Sequence, residues 1–113
     1  MDNVTDRELQ GLFTKCKVLT EGATDIDVSN LNISIKFNRR KGMIRMGMCT
    51  RRETSCEIDI TESYVNHPDV TQHEVEDTII HELIHCLPGA NNHGPWFKLY
   101  ADKVNRTYGY SIS

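Results

Sequence analysis

Apolar side chains in the first sixty residues follow a helical period and then a strand period. A capping-box pattern at residues 5–8 precedes apolar positions three and four apart, which predicts a helix over residues 5–19. Strict alternation of apolar and polar positions predicts strands at residues 33–37 and 56–60, with another strand at residues 43–50 between them. Short polar turns separate these strands, so we expect a small, mostly antiparallel three-stranded sheet.

Two amphipathic helices are predicted in the second half of the chain. A second capping box, at residues 71–74, precedes an apolar face with helical spacing. The proline-glycine pair at residues 88–89 is expected to break this helix. A further helix is predicted over residues 95–105, where a proline suits the first turn. Its first aromatic side chains, Trp96 and Phe97, are expected in the core. These elements together predict an α+β fold with about three helices packed on the sheet.

Length and composition restrict the class of protein. With 113 residues, the chain is expected to form one domain over residues 1–113. Its 38% hydrophobic content and net charge of −3 argue against disorder, and no apolar run reaches the ~20 residues of a membrane span. The N-terminus shows no signal-peptide pattern, and the four cysteines form no CxxC pair. We therefore expect a reduced, monomeric protein of the cytoplasm, or of the nucleus in a eukaryote.

The charges are distributed unevenly along the chain. Residues 36–52 contain seven basic side chains and no acid, whereas residues 53–82 contain nine acids and no lysine or arginine. A clustered basic segment can attract phosphate groups, although such a run is also typical of a solvated surface. Because the chain is acidic overall, only local contact with nucleic acid is expected. The candidate contact residues are Arg39, Arg40, Lys41, Arg45, Arg51 and Arg52.

The segment His81-Glu82-Leu83-Ile84-His85 is an HExxH motif within the second predicted helix. Histidines four residues apart on a helix face the same side, so both imidazoles can bind one metal ion. Glu82 would flank that ion, where it can take a proton from water as a general base. Burying two imidazoles and a carboxylate on an apolar helix costs free energy unless these groups have partners. This cost favours a metal site over simple packing.

A third ligand for the ion has to come from outside this helix. Catalytic zinc sites use three protein ligands and keep a fourth position open, so one Zn2+ ion is expected here. His93 lies eight residues after His85, beyond the predicted turn, and is the strongest candidate, although it would also suit a helix cap. The spacing excludes the metzincin pattern HExxHxxGxxH. The weaker candidates are Cys49, Cys56, His67, His73 and Asp102.

The HExxH motif is followed by His93-Gly94-Pro95-Trp96-Phe97 at the start of a helix, and this combination resembles the SprT-like metalloprotease family. That family includes the Spartan proteases of DNA–protein crosslinks. The predicted strands and the order of elements are similar over nearly the whole chain. The resemblance implies zinc on His81, His85 and His93, with Glu82 as catalytic base. It also implies a compact zincin core with the HExxH helix at its centre and the substrate extended beside a sheet edge.

The sequence also departs from the family pattern. Many members carry a C-terminal zinc ribbon with cysteine pairs and separate DNA-binding segments, and the sequence shows neither, so the resemblance implies the catalytic chemistry more strongly than a role at DNA crosslinks. The first hypothesis is a zinc-dependent metalloendopeptidase acting on proteins or peptides, including nucleic-acid-associated proteins. The alternatives are a metal-dependent nuclease and a non-catalytic, zinc-stabilised module that binds nucleic acid or protein. The donor to the reaction's oxyanion stays open among Tyr64, Tyr100, Tyr108 and Tyr110.

Overall fold

The computed structural model describes residues 1–42 and 45–113 of the chain. Met43 and Ile44, which begin the second predicted strand, lie outside the described residues. None of the helices in the described part is both long and apolar enough to cross a membrane. The elements, in chain order, are α1 (Asp6–Thr24), a 3-10 turn (Val28–Asn30), β1 (Ile33–Asn38), β2 (Gly47–Arg51), β3 (Cys56–Thr61), α2 (Glu62–Val65), α3 (Gln72–His85) and α4 (Pro95–Tyr108).

The sheet is mixed, so the prediction of a mostly antiparallel sheet is wrong. The strand order is β1-β3-β2, with β3 in the middle. β2 and β3 pair antiparallel, as expected for strands joined by a short turn, but β1 runs parallel to β3 with Ile35 opposite Ile58. Alternation shows which face of a strand is buried and does not show its direction. The parallel register still places apolar side chains of β1 and β3 on one face, which is all that the sequence pattern requires.

Helices α1 and α4 extend beyond their predicted ends, and α4 reaches Tyr108 rather than ending at residue 105. α1 continues to Thr24 rather than ending at residue 19, and Asp25 ends it in a left-handed conformation with a φ of 60°. Gly22 therefore lies inside the helix, where an added Cβ would come within 2.6 Å of the Tyr108 hydroxyl. This glycine allows α1 and α4 to pack closely instead of breaking α1. The short helix α2 was not predicted, and with it the described residues contain four α-helices rather than about three.

The helix α3 packs against α1, α4, β2 and β3, and its apolar side chains form much of the core. The placement of Phe97 in the core is confirmed, since this side chain is only 1% exposed. The placement of Trp96 there is wrong, because Trp96 is 55% exposed. Trp96 and Phe97 are consecutive on α4 and point in directions about 100° apart, so only one of them can face α3.

A buried carboxylate joins α1, α3 and the C-terminal segment. Glu76 of α3 is 3% exposed, and its oxygens lie 2.6 Å from the Lys15 ammonium, 3.1 Å from the Gln72 amide and 3.0 Å from the Tyr110 hydroxyl. Burial by itself raises the pKa of Glu76, but these three donors outweigh it and hold the pKa below its ordinary value. The ionised form of Glu76 therefore stabilises the fold.

We expect Glu76→Gln to lower the free energy of unfolding at pH 7 by about 1–2 kcal/mol, since hydrogen bonds to a charged group are lost. A carboxyl whose pKa is lowered by folding contributes stability above its unfolded pKa, about 4.3, and loses it as the pH falls through the lower folded pKa. The difference between the two proteins should therefore shrink below about pH 4. Urea denaturation from pH 7 to pH 3, with a chelator present, measures it. A difference that stays constant across this range would contradict the role assigned to Glu76.

Candidate metal centre

The residues of the HExxH motif lie at the C-terminal end of α3. The predicted capping box is present at the start of this helix: the Thr71 hydroxyl accepts from the Glu74 amide at 3.1 Å, and the Glu74 carboxylate accepts from the Thr71 amide at 3.1 Å. With its start fixed in this way, the helix places His81 and His85 one turn apart on the same side. Their ring centroids are 5.0 Å apart.

The turn after α3 brings His93 back to the two helical histidines. Gly89 adopts a left-handed conformation with a φ of 76°, and α4 starts at Pro95. His93 Nε2 lies 3.2 Å from His81 Nε2, and the rings of His93 and His85 have centroids 4.6 Å apart. One ring nitrogen from each of the three histidines lies within 4.8 Å of the others. Two imidazoles from α3 and one from the loop that follows it therefore converge on one point.

Two neighbouring residues hold the imidazoles in place. His85 Nδ1 lies 2.9 Å from the carbonyl oxygen of Ala90, and because a carbonyl only accepts, Nδ1 carries the proton and leaves the Nε2 lone pair free. The ring of Phe97 packs beneath the three histidines, with centroid distances of 5.0 Å to His81 and 4.7 Å to both His85 and His93. Sequence reasoning placed Phe97 in the core, but no motif indicated the role of the Ala90 carbonyl.

The donor set fits a metal ion. Burial, together with the neighbouring His85 and His93, lowers the pKa of His81 to about 4, and burial also lowers the pKa of His85. Both imidazoles are therefore neutral at pH 7, which is the form that binds metals. Three imidazoles are a donor set of catalytic zinc sites, which keep one position open. The residues present thus suit a zinc ion.

Glu82 lies beside the histidines and is only 8% exposed. Burial raises its pKa to about 7, against the lowering effect of the Arg45 charge. A carboxyl with a pKa near neutrality can both accept and release a proton at physiological pH. Glu82 lines two adjoining cavities of about 440 and 400 Å³. The larger cavity is lined by Arg45, Gly47, Met48, Cys49, Arg51, His81, Glu82, His85, Asn91 and His93.

The wall opposite α3 is the edge strand β2. An added Cβ at Gly47 would lie 3.1 Å from Ile60, 3.2 Å from Thr78 and 3.3 Å from the Glu82 side chain. A glycine at this position lets β2 come close to the carboxylate. Sequence reasoning missed Gly47, although a glycine inside a strand pattern is a known signal of close backbone approach. It also missed Asn91, for which the sequence holds no signal.

The weaker candidates for the third ligand lie elsewhere or belong to another group. Cys49 lines the larger cavity, but its sulfur is close to that of Cys56 rather than joined to the histidine group. His67 contacts a neighbouring loop carboxylate at 3.9 Å, and His73 stacks on an aromatic ring at 4.4 Å. Asp102 pairs with an arginine one helical turn later, at 3.1 Å. Among these candidates, all of which the structure describes, His93 is the one that joins His81 and His85 in the histidine group.

None of the four candidate tyrosines lines either cavity in the part of the chain that the structure describes. Tyr64 donates to a backbone carbonyl of α3 at 3.2 Å, Tyr100 donates to the Pro88 carbonyl at 3.0 Å, and Tyr110 bonds the buried Glu76. Tyr108 packs against α1. Apart from the three histidines, the side chains with N–H donors that line the larger cavity are Arg45, Arg51 and Asn91.

The basic segment divides into three groups in the structure. Lys36 pairs with Glu57 at 3.0 Å, and Arg39 pairs with both Asp6 and Glu62, at 2.9 and 2.8 Å, so these two charges are offset. Arg45 and Arg51 line the candidate metal centre. The remaining basic side chains are exposed, namely Arg40, Lys41 and Arg52. Contact of this segment with nucleic acid stays a prediction.

Gly89 offers a test of how the turn positions the site. We expect Gly89→Ala to lower the free energy of unfolding by about 1–3 kcal/mol, because its φ is left-handed and the new Cβ would lie 2.7 Å from the Trp96 ring. Zinc affinity should fall as well, since the turn carries the Ala90 carbonyl and His93. Urea denaturation and zinc titration measure the two effects. Gly11→Ala is the matched control, because nothing lies within 4 Å of its added Cβ and the helix should become slightly more stable. Equal stability of Gly89→Ala and wild type would refute this view of the turn.

A comparison with protein-family models gives a match over most of the chain. The fold is α+β, and three histidines that could hold a metal ion lie together with a glutamate beside an edge strand. The SprT-like family matches residues 12–113, a span that begins within α1 and includes the whole sheet, α3 and α4. The chain therefore belongs to the SprT-like family, and the resemblance seen in its sequence is confirmed. A search of individual curated proteins gives no significant match.

Proposed function

We propose that the chain is a zinc-dependent metalloendopeptidase. The observation that carries this proposal is the convergence of three imidazoles on one point beside a buried carboxylate, in a cavity bordered by an edge strand. Membership of the SprT-like family, which is linked to zincin-like metalloproteases, supports the same reading. His81, His85 and His93 would hold the ion. When bound, zinc acidifies water and polarises a carbonyl group.

Glu82 is the general base in this proposal. Its carboxylate lines the cavity next to the histidines, and the raised pKa of about 7 lets it take a proton from the water that attacks the peptide carbonyl. The same carboxyl then gives that proton to the leaving nitrogen, which departs as an amine. Its limited exposure keeps bulk water from competing for the proton.

Arg45 and Asn91 are the side chains proposed to stabilise the negative charge that develops on the carbonyl oxygen. Both line the larger cavity, and Arg45 also lines the adjoining one. A preorganised donor aimed at a developing oxyanion contributes about 10²- to 10³-fold in rate. They replace the tyrosines considered from the sequence, of which Tyr64, Tyr100 and Tyr110 use their hydroxyls in other hydrogen bonds.

The proposed substrate is an extended stretch of protein or peptide. β2 is an edge strand of the sheet, and its residues Gly47, Met48 and Cys49 line the cavity. An extended segment could add to this edge through main-chain hydrogen bonds, which would place one of its carbonyl groups beside Glu82. Folded proteins rarely offer such a segment, so unfolded chains and exposed loops are the expected substrates.

Nucleic-acid-associated proteins are a more specific substrate class that stays a proposal. Arg40, Lys41 and Arg52 are exposed and positively charged. A surface cavity of about 610 Å³ is lined partly by Arg40 and by Arg45, and Arg45 also lines the candidate metal centre. Four free thiols suit a reducing compartment, the cytoplasm or a eukaryotic nucleus. This location and the monomeric state are likewise predictions.

One experiment separates the protease from the two alternatives. The zinc-loaded protein is incubated with denatured casein, with RNA and with single-stranded DNA, each with and without a chelator. We expect cleavage of casein alone, its loss with the chelator and its return when zinc is added back. Cleavage of RNA or DNA alone would establish the metal-dependent nuclease. Binding of any of the three without cleavage would establish the non-catalytic module.

A further inference from the structure

Three cysteines from different elements meet behind the histidine centre. Cys49 lies on β2, Cys56 begins β3 and Cys86 follows the last residue of α3. Their sulfur atoms all lie within 4.8 Å of one another, and the sulfurs of Cys49 and Cys86 are 3.3 Å apart. All three are free thiols. Together they form a group that is called the thiol cluster below.

We propose that the thiol cluster binds one thiophilic d10 metal ion, Cu(I) or Zn(II), at a second site separate from the histidines. A metal–sulfur bond is about 2.3 Å long, so two sulfurs on one ion lie about 3.8–4.6 Å apart between tetrahedral and linear arrangements. The observed spacing meets this requirement with small side-chain adjustments. Soft thiolate ligands favour Cu(I) and Zn(II) over the hard cations that prefer oxygen ligands. Binding replaces the S–H bonds by metal–sulfur bonds and releases the protons to solvent, without a change of oxidation state.

The surroundings of the thiol cluster supply positive charge and a cavity through which an ion can enter from solvent. Arg51 donates to the carbonyl oxygen of His85 at 3.2 Å, next to Cys86 in the chain. Arg51 and Arg52 line a surface cavity of about 200 Å³ together with Cys56 and Cys86. Guanidinium groups offset the negative charge that three thiolates bring to one ion. The cavity lets an ion reach the sulfurs from solvent.

Packing alone does not explain the convergence. A free cysteine often serves as a small apolar core residue, as Cys16 does on α1, fully buried and away from the cluster. In the thiol cluster, by contrast, three thiols from three elements meet at one point, and Cys49 is only partly buried. The Cys86 thiol also donates a hydrogen bond to the Glu82 carbonyl at 3.5 Å, although a thiol is a weak donor. An ion bound there would join β2, β3 and α3, the elements that surround the histidine centre.

The test is the number of metal ions per chain in variants that lack one site or the other. Protein is loaded with Zn(II), or with Cu(I) under anaerobic reducing conditions, desalted, and measured by plasma mass spectrometry. We expect wild type to hold two zinc ions, and both His81→Ala/His85→Ala and Cys49→Ala/Cys86→Ala to hold one. Cys16→Ala is the matched control and should hold two. Because the histidine double variant is assayed by metal content, the inference does not rest on the proposed protease activity.

A second measurement uses the unmodified chain, in case the cysteine double variant does not fold. Alkylation by iodoacetamide, followed by peptide mass spectrometry, should show Cys49, Cys56 and Cys86 protected by Cu(I) or Zn(II), with Cys16 unaffected by the metal. Protection by only one of the two ions identifies the ion. The inference fails if the histidine double variant holds neither metal. It fails equally if added metal leaves the thiol cluster as reactive as before, or if Cys49 and Cys86 are found joined in a disulfide.

Discussion

Glu82→Gln should slow protein cleavage by orders of magnitude and leave zinc binding intact. Glutamine has nearly the same shape as glutamate, but its amide cannot accept the proton of the attacking water. General acid–base catalysis contributes about 10²- to 10⁴-fold, so kcat/KM should fall by that amount. The imidazoles of His81, His85 and His93 are untouched, and their ring nitrogens would still converge on one point. Casein cleavage and zinc titration of the same preparation measure the two properties together.

The control for this variant is Glu53→Gln, which removes the same charge from an exposed position that does not line either cavity at the histidines. It should cleave at the wild-type rate. Full activity in Glu82→Gln would remove Glu82 from the mechanism. Loss of zinc together with activity would instead make Glu82 part of the metal site.

Removing the third imidazole should have the largest effect on metal affinity. We expect His93→Ala to weaken zinc binding by more than about 100-fold, because each ligand contributes several kcal/mol to the binding free energy. Competition with a chromophoric chelator measures the affinity. To keep the thiol cluster from contributing, the titration is performed on the Cys49→Ala/Cys86→Ala background as well as on wild type. His67→Ala, on a loop outside the site, is the control and should bind zinc normally.

Unchanged zinc affinity in His93→Ala would mean that another group completes the site. The structure would then point to Cys49 or Asn91, which line the same cavity. Such a result would leave the pair on α3 in place, because His81 and His85 are set by the helix itself. It would also assign the 3.2 Å contact between His93 and His81 to packing rather than to metal binding.

The sequence was most informative where local rules decide the structure. Thr5 and Thr71 immediately precede α1 and α3, and each hydroxyl accepts from the backbone amide three residues later, so the start of each helix follows from four consecutive residues. His81 and His85 share a helix face for the same local reason. The return of His93 was a weaker inference, since it depends on a turn, but the glycine and proline of that turn are visible in the sequence.

The features that the sequence did not predict depend on distant partners. The direction of β1 is set by its pairing with β3, and alternation within a strand is the same in both directions. The charge of Arg39 is offset by Asp6 and Glu62, which lie far away in the chain. A run of basic residues therefore looks more exposed in the sequence than it is in the fold. The contact between Gly47 and Glu82 is also of this kind, since 35 residues separate them.

The shortness of β2 has a consequence for how such an enzyme would select its targets. Five residues of antiparallel edge strand offer only about two or three residues whose main-chain groups point outward. Under the proposed function, a substrate held by so few hydrogen bonds would have a short residence time, and its fragments would leave quickly after cleavage. Discrimination would then depend less on the residues flanking the cut than on residence near the enzyme. A target tethered to the same scaffold reaches a millimolar effective concentration and would be cleaved ahead of freely diffusing chains.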